Sequence, residues 1–519
     1  MRNGLTLAAL CVGLWSAACG SDEPAAEVDG DTDAGTDAGP TESDDAGQDA
    51  GMEPDAATPS ALGCDPTRLG QSYRAAAGAS VALVEDDDSL RSCFFATDLG
   101  SAENTLAVAR DGTVLVAPTY TAEGTGILRS RDDGDSWEVI VPAERGGAAH
   151  ERPQPFMMLD AEAERLFFVT TTAGGAFNAQ GFDLSISDDL GETFSAGKVG
   201  VGTGDWIKLI PAAPVTSTLT DYPNVLYASS PAPISTPVTA GLGPLHQQVQ
   251  RSLDGGETWQ DVAGEQLSLL PVDHDCPETE NVIYGNGVAT SDGALYLGLR
   301  RCTRFAVASS LDEGATWTVQ DVSGPDLVPF AGILTYVDEH NVLQAEPLAV
   351  DSEDNLYAVW ADATGRLIYS VSRDRAVSWS EPVVVSAPAV QVAAMSGLAV
   401  NEPGTLALAY YGSTDGEAFD GYVAETTEAF EQEPLFTSLI VNDDGPLHAD
   451  TLDAGYIELL SGGDLIEIVQ VRYAPSGDLW AAFTRDRCPG SGTSAGCDWD
   501  RAAHATSAYE LVIARVGHR

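Results

Sequence analysis

One eight-residue pattern, Ser-x-Asp-x-Gly-x-Thr/Ser-Trp/Phe, keeps returning along this 519-residue chain and limits what it can fold into. Its copies are SRDDGDSW (Ser130 to Trp137), SDDLGETF (Ser187 to Phe194), SLDGGETW (Ser252 to Trp259) and SLDEGATW (Ser310 to Trp317). A fifth, SRDRAVSW (Ser372 to Trp379), has lost its Gly. The copies start about sixty residues apart, a period that suits propeller blades better than helical solenoids. Between them a second unit repeats: an apolar run, a turn with Asp, Asn or Gly, then another apolar run. Its copies begin at Leu106, Pro155, Trp206, Asn286, Pro347, Gly397 and Val471. Runs of this kind bounded by turn residues read as strands, and no window reads as an amphipathic helix.

The residue types explain the motif. Asp132, Asp189, Asp254 and Asp312 are placed to accept bonds from the N–H groups of their own turns. Gly134, Gly191, Gly256 and Gly314 supply backbone angles that other residues resist. Ser130, Ser187, Ser252 and Ser310 can satisfy nearby backbone groups. Trp137, Phe194, Trp259, Trp317 and Trp379 leave the turn and pack beneath it. An Asp occupied in this way pins a hairpin. The expectation is a structural device and not a set of catalytic carboxylates.

These copies resemble the Asp-box, also called the bacterial neuraminidase repeat, and the chain is similar to the sialidase-like superfamily of β-propellers. The resemblance is strong from about residue 100 to 380. It implies an all-β fold: a single propeller of four-stranded blades, with the boxes on the turns of the outer strands, away from the usual binding face. Seven strand repeats favour seven blades, with six as the alternative. GASVALVEDD and CFFATDLG before the first repeat, and AYELVIARV at the C-terminus, read as strands. A last blade built from both chain ends would join the ring and leave no open edge.

Export is read from the N-terminus. Arg2 precedes an apolar stretch, Leu5 to Trp15, too short to span a bilayer, so residues 1–18 read as a signal peptide. Ser16-Ala17-Ala18-Cys19 resembles a lipoprotein signal, which makes Cys19 the lipidation site. Residues 19–63 are acidic, lack bases and read as a disordered tether; residues 64–519 hold the propeller. Six further cysteines, Cys64, Cys93, Cys276, Cys302, Cys488 and Cys497, suggest disulfides between sequence neighbours. The expected location is the outer membrane or cell surface by lipid anchor, with free secretion as the alternative. The net charge of −54 repels nucleic acid and anionic headgroups. Nucleic acid is therefore excluded as a partner, and the membrane is reached only through the N-terminal lipid.

Fold does not settle function, which must be read from a site. Active sialidases, by resemblance, use three arginines on a carboxylate, a Tyr–Glu nucleophile pair and an Asp acid/base. Their first arginine sits in a Phe-Arg-Ile-Pro motif, which this chain lacks. Between tether and first repeat it offers only Arg68, Arg74 and Arg91, none in that setting. The residues expected to line the central entrance precede the inner strands: Glu151, Arg152, Asp205, Trp206, Asn286, Glu346, His448 and Asp450. Such a mouth is mostly acidic and suits a cation, an amine or sugar hydroxyls. Arg300 and Arg301, with Arg304, form the best local anion clamp. Asp273-His274-Asp275 reads as a solvated loop and not a metal site. Trp360, Tyr410, Tyr411 and Trp480 read as core packing between blades, with stacking on sugar rings as the alternative. No cofactor or metal is expected, with calcium left open. The leading reading is a non-catalytic module that binds a glycan or a surface protein. The alternative is a glycoside hydrolase, an exo-sialidase among the candidates, working at the central face.

Overall fold

Leu356-Tyr357-Ala358-Val359-Trp360-Ala361 is apolar at every position and begins just after a turn held by Asp351 and Asn355. Such a run suits a strand covered on both faces, and each of its residues is buried. The fold below is that of a computed structural model. It describes residues 60–64, 69–101, 104–121, 124–142, 156–171, 182–200, 207–233, 245–262, 287–301, 304–322, 324, 348–416, 418–442, 445–449, 469–486 and 509–518.

The chain enters with β1 (Ser60–Cys64), β2 (Gly70–Arg74), β3 (Val81–Asp87) and β4 (Leu90–Gly100). Six antiparallel meanders follow. The first is β5 (Thr105–Val108), β6 (Val114–Thr121), β7 (Gly124–Ser130) and β8 (Glu138–Ile140). The second is β9 (Phe156–Asp160), β10 (Arg165–Thr171), β11 (Phe182–Ser187) and β12 (Ser195–Gly200). The third is β13 (Lys208–Ala212), β14 (Val225–Pro233), β15 (Leu245–Ser252) and β16 (Gln260–Asp261). The fourth is β17 (Gly287–Ala289), β18 (Leu295–Arg301), β19 (Arg304–Ser310) and β20 (Thr318–Asp321). The fifth is β21 (Leu348–Val350), β22 (Leu356–Ala361), β23 (Leu367–Ser372) and β24 (Val383–Val384). The sixth is β25 (Val392–Val400), β26 (Leu406–Ser413), β27 (Ala418–Thr426) and β28 (Leu435–Ile440), with β29 (His448–Ala449) pairing β27. The chain ends with β30 (Gln470–Tyr473), β31 (Leu479–Asp486) and β32 (Tyr509–His518).

These three last strands take β4 as their fourth. β32 pairs with β4 from Glu510↔Gly100 to His518↔Leu90, so the two chain ends share the seventh blade. The innermost strands touch in chain order, β5 to β9, β13, β17, β21, β25 and β30, and β30 returns to β5. The result is a closed seven-bladed β-propeller. Its core is a set of layers between blades. Phe156, Phe167 and Leu184 of the second blade, for example, meet Leu209, Leu226 and Ala228 of the third. The layer that completes the ring packs Phe95, Trp480 and Leu511 against Leu106, Val114 and Trp137. Trp137 and Trp480 meet edge to face at 6.0 Å.

Two sequence readings of the N-terminal strands part company here. CFFATDLG, in β4, closes the ring as expected. VALVEDD, in β3, does not join that blade: β2 pairs with β28 and β3 with β2, which widens the sixth blade outward. The anchor is Tyr73, fully buried, stacked on Phe436 at 5.8 Å and donating to the Val385 carbonyl at 2.7 Å. The β1–β4 register puts Cys64 opposite Cys93. Cys276, Cys302, Cys488 and Cys497, like Cys19, lie outside the described residues. No helix among the described residues is long and apolar enough to cross a membrane.

Candidate functional site

An antiparallel four-stranded blade sends its first and third turns to one end of the ring. Its second turn and the link to the next blade go to the other. The two ends of this propeller are built differently.

The first turns of five blades, 109–113, 290–294, 351–355, 401–405 and 474–478, are of equal length. Each is closed by the same backbone bond, from the first residue's N–H to the last residue's carbonyl, for example Ala109 to Thr113 at 2.8 Å and Ala474 to Asp478 at 2.7 Å. The repeated Ser-x-Asp-x-Gly motif forms the third turns. In the copy at Ser252, the Asp254 carboxylate accepts from the Thr258 amide at 2.8 Å, the Thr258 hydroxyl at 2.6 Å and the Ser252 hydroxyl at 2.8 Å. The Gly256 amide donates to Ser252 Oγ at 2.8 Å, and Trp259 Nε1 donates to the Gly256 carbonyl at 3.1 Å. The copies at Ser130, Ser187, Ser310 and Ser372 repeat the Ser–Asp bond and the bond from the turn amide to the Ser hydroxyl. The hydroxyl and amide of Thr193 hold the Asp189 carboxyl at about 2. A carboxylate that is ionised and has both oxygens engaged is poorly suited to proton transfer near neutral pH.

The motif also fastens the first, second, fourth and fifth blades to the ones before them. Its fourth residue has a left-handed backbone in every copy: Asp133, Leu190, Gly255, Glu313 and Arg375, with φ of 59°, 54°, 69°, 58° and 62°. That geometry turns the fourth carbonyl toward the preceding blade. Arg129 donates to the Leu190 carbonyl at 2.7 Å and Arg515 to the Asp133 carbonyl at 3.2 Å. Arg251 approaches the Glu313 carbonyl at 3.5 Å and bonds its carboxylate at 2.9 Å. The fifth position is Gly in the four intact copies because the preceding blade lies against it. A Cβ at Gly256 would stand 2.7 Å from Leu184, and one at Gly314 would stand 2.9 Å from Val262. In the degenerate copy Ala376 takes this position at φ 66°, and the buried Trp379 Nε1 finds no acceptor among the described residues.

Glu313 is the most deeply committed acid at this end. It is 1% exposed and accepts from the amides of Val215, Thr216 and Ser217 at 2.8, 2.8 and 3.0 Å, and from the Ser217 hydroxyl. Burial opposes its ionisation, yet these bonds hold its pKa at about 2. The sequence reading missed Glu313 and the arginines that meet the motif. The available signal was the Arg directly before the motif Ser in two copies, Arg129 and Arg251.

The other end has no such regularity. Its second turns run from 122–123 and 302–303 to 172–181, 234–244 and 487–508. Its links between blades include 141–155, 201–207, 262–286 and 322–347. Glu151, Arg152, Asp205, Trp206, Asn286, Glu346 and Asp450 fall in links of this kind, outside the described residues. So do Asp273, His274 and Asp275. Arg300 and Arg301 end β18 at the same end, and the hairpin register sets Arg301 opposite Arg304.

His448 departs from the expected entrance position. It is fully buried, edge-on to Tyr411 at 5.0 Å, with Nε2 3.3 Å from Thr484 Oγ1. The cause is β29, whose pairing of His448 with Phe419 draws the ring into the layer between the sixth and seventh blades. Trp360, Tyr410, Tyr411 and Trp480 are at most 1% exposed and lie on second strands, one step out from the innermost. Where the loop end is described it is also tied down. Asp362, 1% exposed, accepts from Thr364 and Arg366 and caps the second turn of the fifth blade. Among the described residues no group of three His, Cys, Asp or Glu is placed to hold a metal.

No family model matches the chain. Over 192 residues it is 28% identical to the xyloglucanase Xgh74A of Acetivibrio thermocellus, a match covering 35% of this chain and 20% of that protein. A xyloglucanase from Paenibacillus sp. is 26% identical over 195 residues, covering 35% and 18%. The chain thus spans about a fifth of the length of the curated relatives it matches. Among solved structures, the BP39L lectin from Burkholderia pseudomallei has 10% identity and a TM-score of 0.41, with 74% of this chain and 96% of that one covered. The intramolecular trans-sialidase from Ruminococcus gnavus has 14% identity and a TM-score of 0.36, with 79% and 93% covered.

Proposed function

We propose that this propeller is an exported, lipid-anchored module that binds a glycan or a surface protein through its loop end. The observation that carries the reading is the contrast between the ends. One is spent on uniform turns that latch blade to blade; the other carries connections of unequal length, the usual place for recognition on a rigid scaffold. At the motif end Arg129, Arg251, Arg375 and Arg515 are committed to Glu138, Glu313, Asp354 and Asp478, in keeping with a structural role for that end. A disulfide between Cys64 and Cys93, which the β1–β4 register sets opposite each other, would support export. Peptide mapping without reductant would recover that pair. Lipidation at Cys19 would appear as labelled palmitate in the wild type and be abolished in Cys19→Ser.

A second reading, a glycoside hydrolase, is favoured by the local likeness to two xyloglucanases. Xyloglucan is therefore the first polysaccharide to test. The chain without its first nineteen residues, disulfides intact, would be run through xyloglucan-loaded gels and incubated with fluorogenic glycosides that include a sialoside, with and without calcium. Retardation or capture without turnover is the expected result. Turnover of any glycoside would replace the binding reading with the hydrolase, and a requirement for calcium would add the cation to the site.

A further inference from the structure

Ring closure hides inner edges, but every blade keeps an outer edge toward solvent. Several blades end in very short strands: β8 is Glu138–Ile140, β16 is Gln260–Asp261 and β24 is Val383–Val384. Short edge strands offer little to pair with. The sixth blade is different. Among the described residues its sheet terminates at β3, which is seven residues long and reads VALVEDD. Val81, Leu83 and Val84 are 53%, 55% and 50% exposed. A register shift at Leu83 interrupts the alternation, so Val81 and Val84, opposite Arg74 and Ser72, share one face and Leu83 stands at the bulge. The second half of the strand is acidic, with Glu85, Asp86 and Asp87. Glu85 and Asp86 have no ion pair among the described residues. A base on the adjoining strand, Arg74 of β2, is taken by Glu428.

We propose that the free edge of β3 docks an extended segment of a partner polypeptide, one that alternates apolar residues with Lys or Arg, as an added strand on the sixth blade. Main-chain bonds to the edge would supply affinity, and the apolar and acidic halves of β3 would select the sequence. Charge chooses this occupant over the others at hand. Residues 20–63 of the chain itself contain no Lys or Arg, and a second copy brings another −54 and the same acidic strand. Like charges suppress both. The surface is separate from the loop end, so it stands whether or not a glycan binds there.

The test uses the full chain and two labelled nonapeptides, one alternating Val with Arg and one alternating Val with Glu, followed by fluorescence anisotropy. The Arg peptide is expected to bind and to weaken about tenfold or more at high salt, while the Glu peptide stays free. The double variant Val81→Lys with Leu83→Lys is expected to lose about tenfold or more in affinity for the Arg peptide. Both positions are half exposed, so the fold should tolerate it. Val377→Lys, at a still more exposed position elsewhere, should leave binding unchanged. Equal binding of the two peptides, or wild-type affinity in the double variant, would overturn the proposal. So would a dimer in sedimentation that the double variant dissociates, because the edge would then belong to a second copy.

Discussion

The two ends of the ring divide the labour of the sequence. At the motif end, the same side chains recur in the same roles: Ser130, Ser187, Ser252, Ser310 and Ser372 each accept an amide bond from four residues ahead. At the loop end the connections between strands differ in length, from 302–303 to 322–347. Repetition marks parts that most blades share, namely a closed turn and a hold on the neighbouring blade. Departure from repetition marks parts free to differ, and a ligand-specific surface can be built only from those. The comparison predicts that changes at the motif end alter stability and leave binding alone, and that changes at the loop end do the reverse.

The largest effect expected is at Glu313. Replacing it with Ala would strand three amides, the Ser217 hydroxyl and Arg251 around a buried gap, at a cost of about 3 kcal/mol or more. Denaturant unfolding measures this, and xyloglucan retardation should not change. The pH dependence has a definite sign. The folded pKa, about 2, lies below the ordinary glutamate value of 4.5. The carboxylate therefore contributes its stability in full above about 4.5, and this is lost as pH falls toward 2. A shift of that size corresponds to about 3 kcal/mol. The Glu313→Gln protein should show a shallower acid limb than the wild type. An unchanged limb would mean that the carboxylate does not hold the third and fourth blades together.

How much of this was legible beforehand follows the same division. The motif turns, the seven repeats and closure by CFFATDLG and AYELVIARV could be read because each is local, or repeats, or both. The latches could not. Arg129 and Leu190, or Arg251 and Glu313, are partners only once one blade lies against the next, and no single window contains both. The route of VALVEDD was hidden for a related reason. An apolar strand states that it wants a neighbour without saying which, and β2 settled the matter through Tyr73. His448 was misplaced because a short apolar-flanked stretch before an inner strand reads alike whether it opens to a channel or folds into a layer. The loop end carries no repeat, so composition alone spoke for it.

Smaller effects sharpen the motif side. Gly256→Ala should cost about 2 kcal/mol, because a left-handed residue gains a Cβ and that Cβ meets Leu184 of the preceding blade. Asp254→Ala removes three bonds from a turn open to water, and should cost about 1 kcal/mol. If the motif were catalytic after all, Asp254→Ala would abolish an activity while barely moving the unfolding midpoint. The structural role predicts a modest loss of stability with binding intact.

The smallest stability effect belongs to Arg300→Ala and Arg301→Ala, and these decide the other half of the comparison. Both sit where β18 ends, at the two-residue turn facing Arg304. Surface substitutions away from packed or paired groups usually shift stability by less than about 0.5 kcal/mol, and that is the effect expected of these two. The unfolding midpoint should therefore stay where it is. If the loop end is the recognition surface and an anionic group is part of what it holds, the pair of substitutions should weaken capture, and added salt should weaken the wild type toward the same level. A clear loss of stability would instead place these arginines among the latches, and the division between the two ends would fail at the fourth blade. Unchanged capture with unchanged stability would keep the division and remove the anion from the description of the ligand, leaving hydroxyls or a cationic group as the chemistry to pursue.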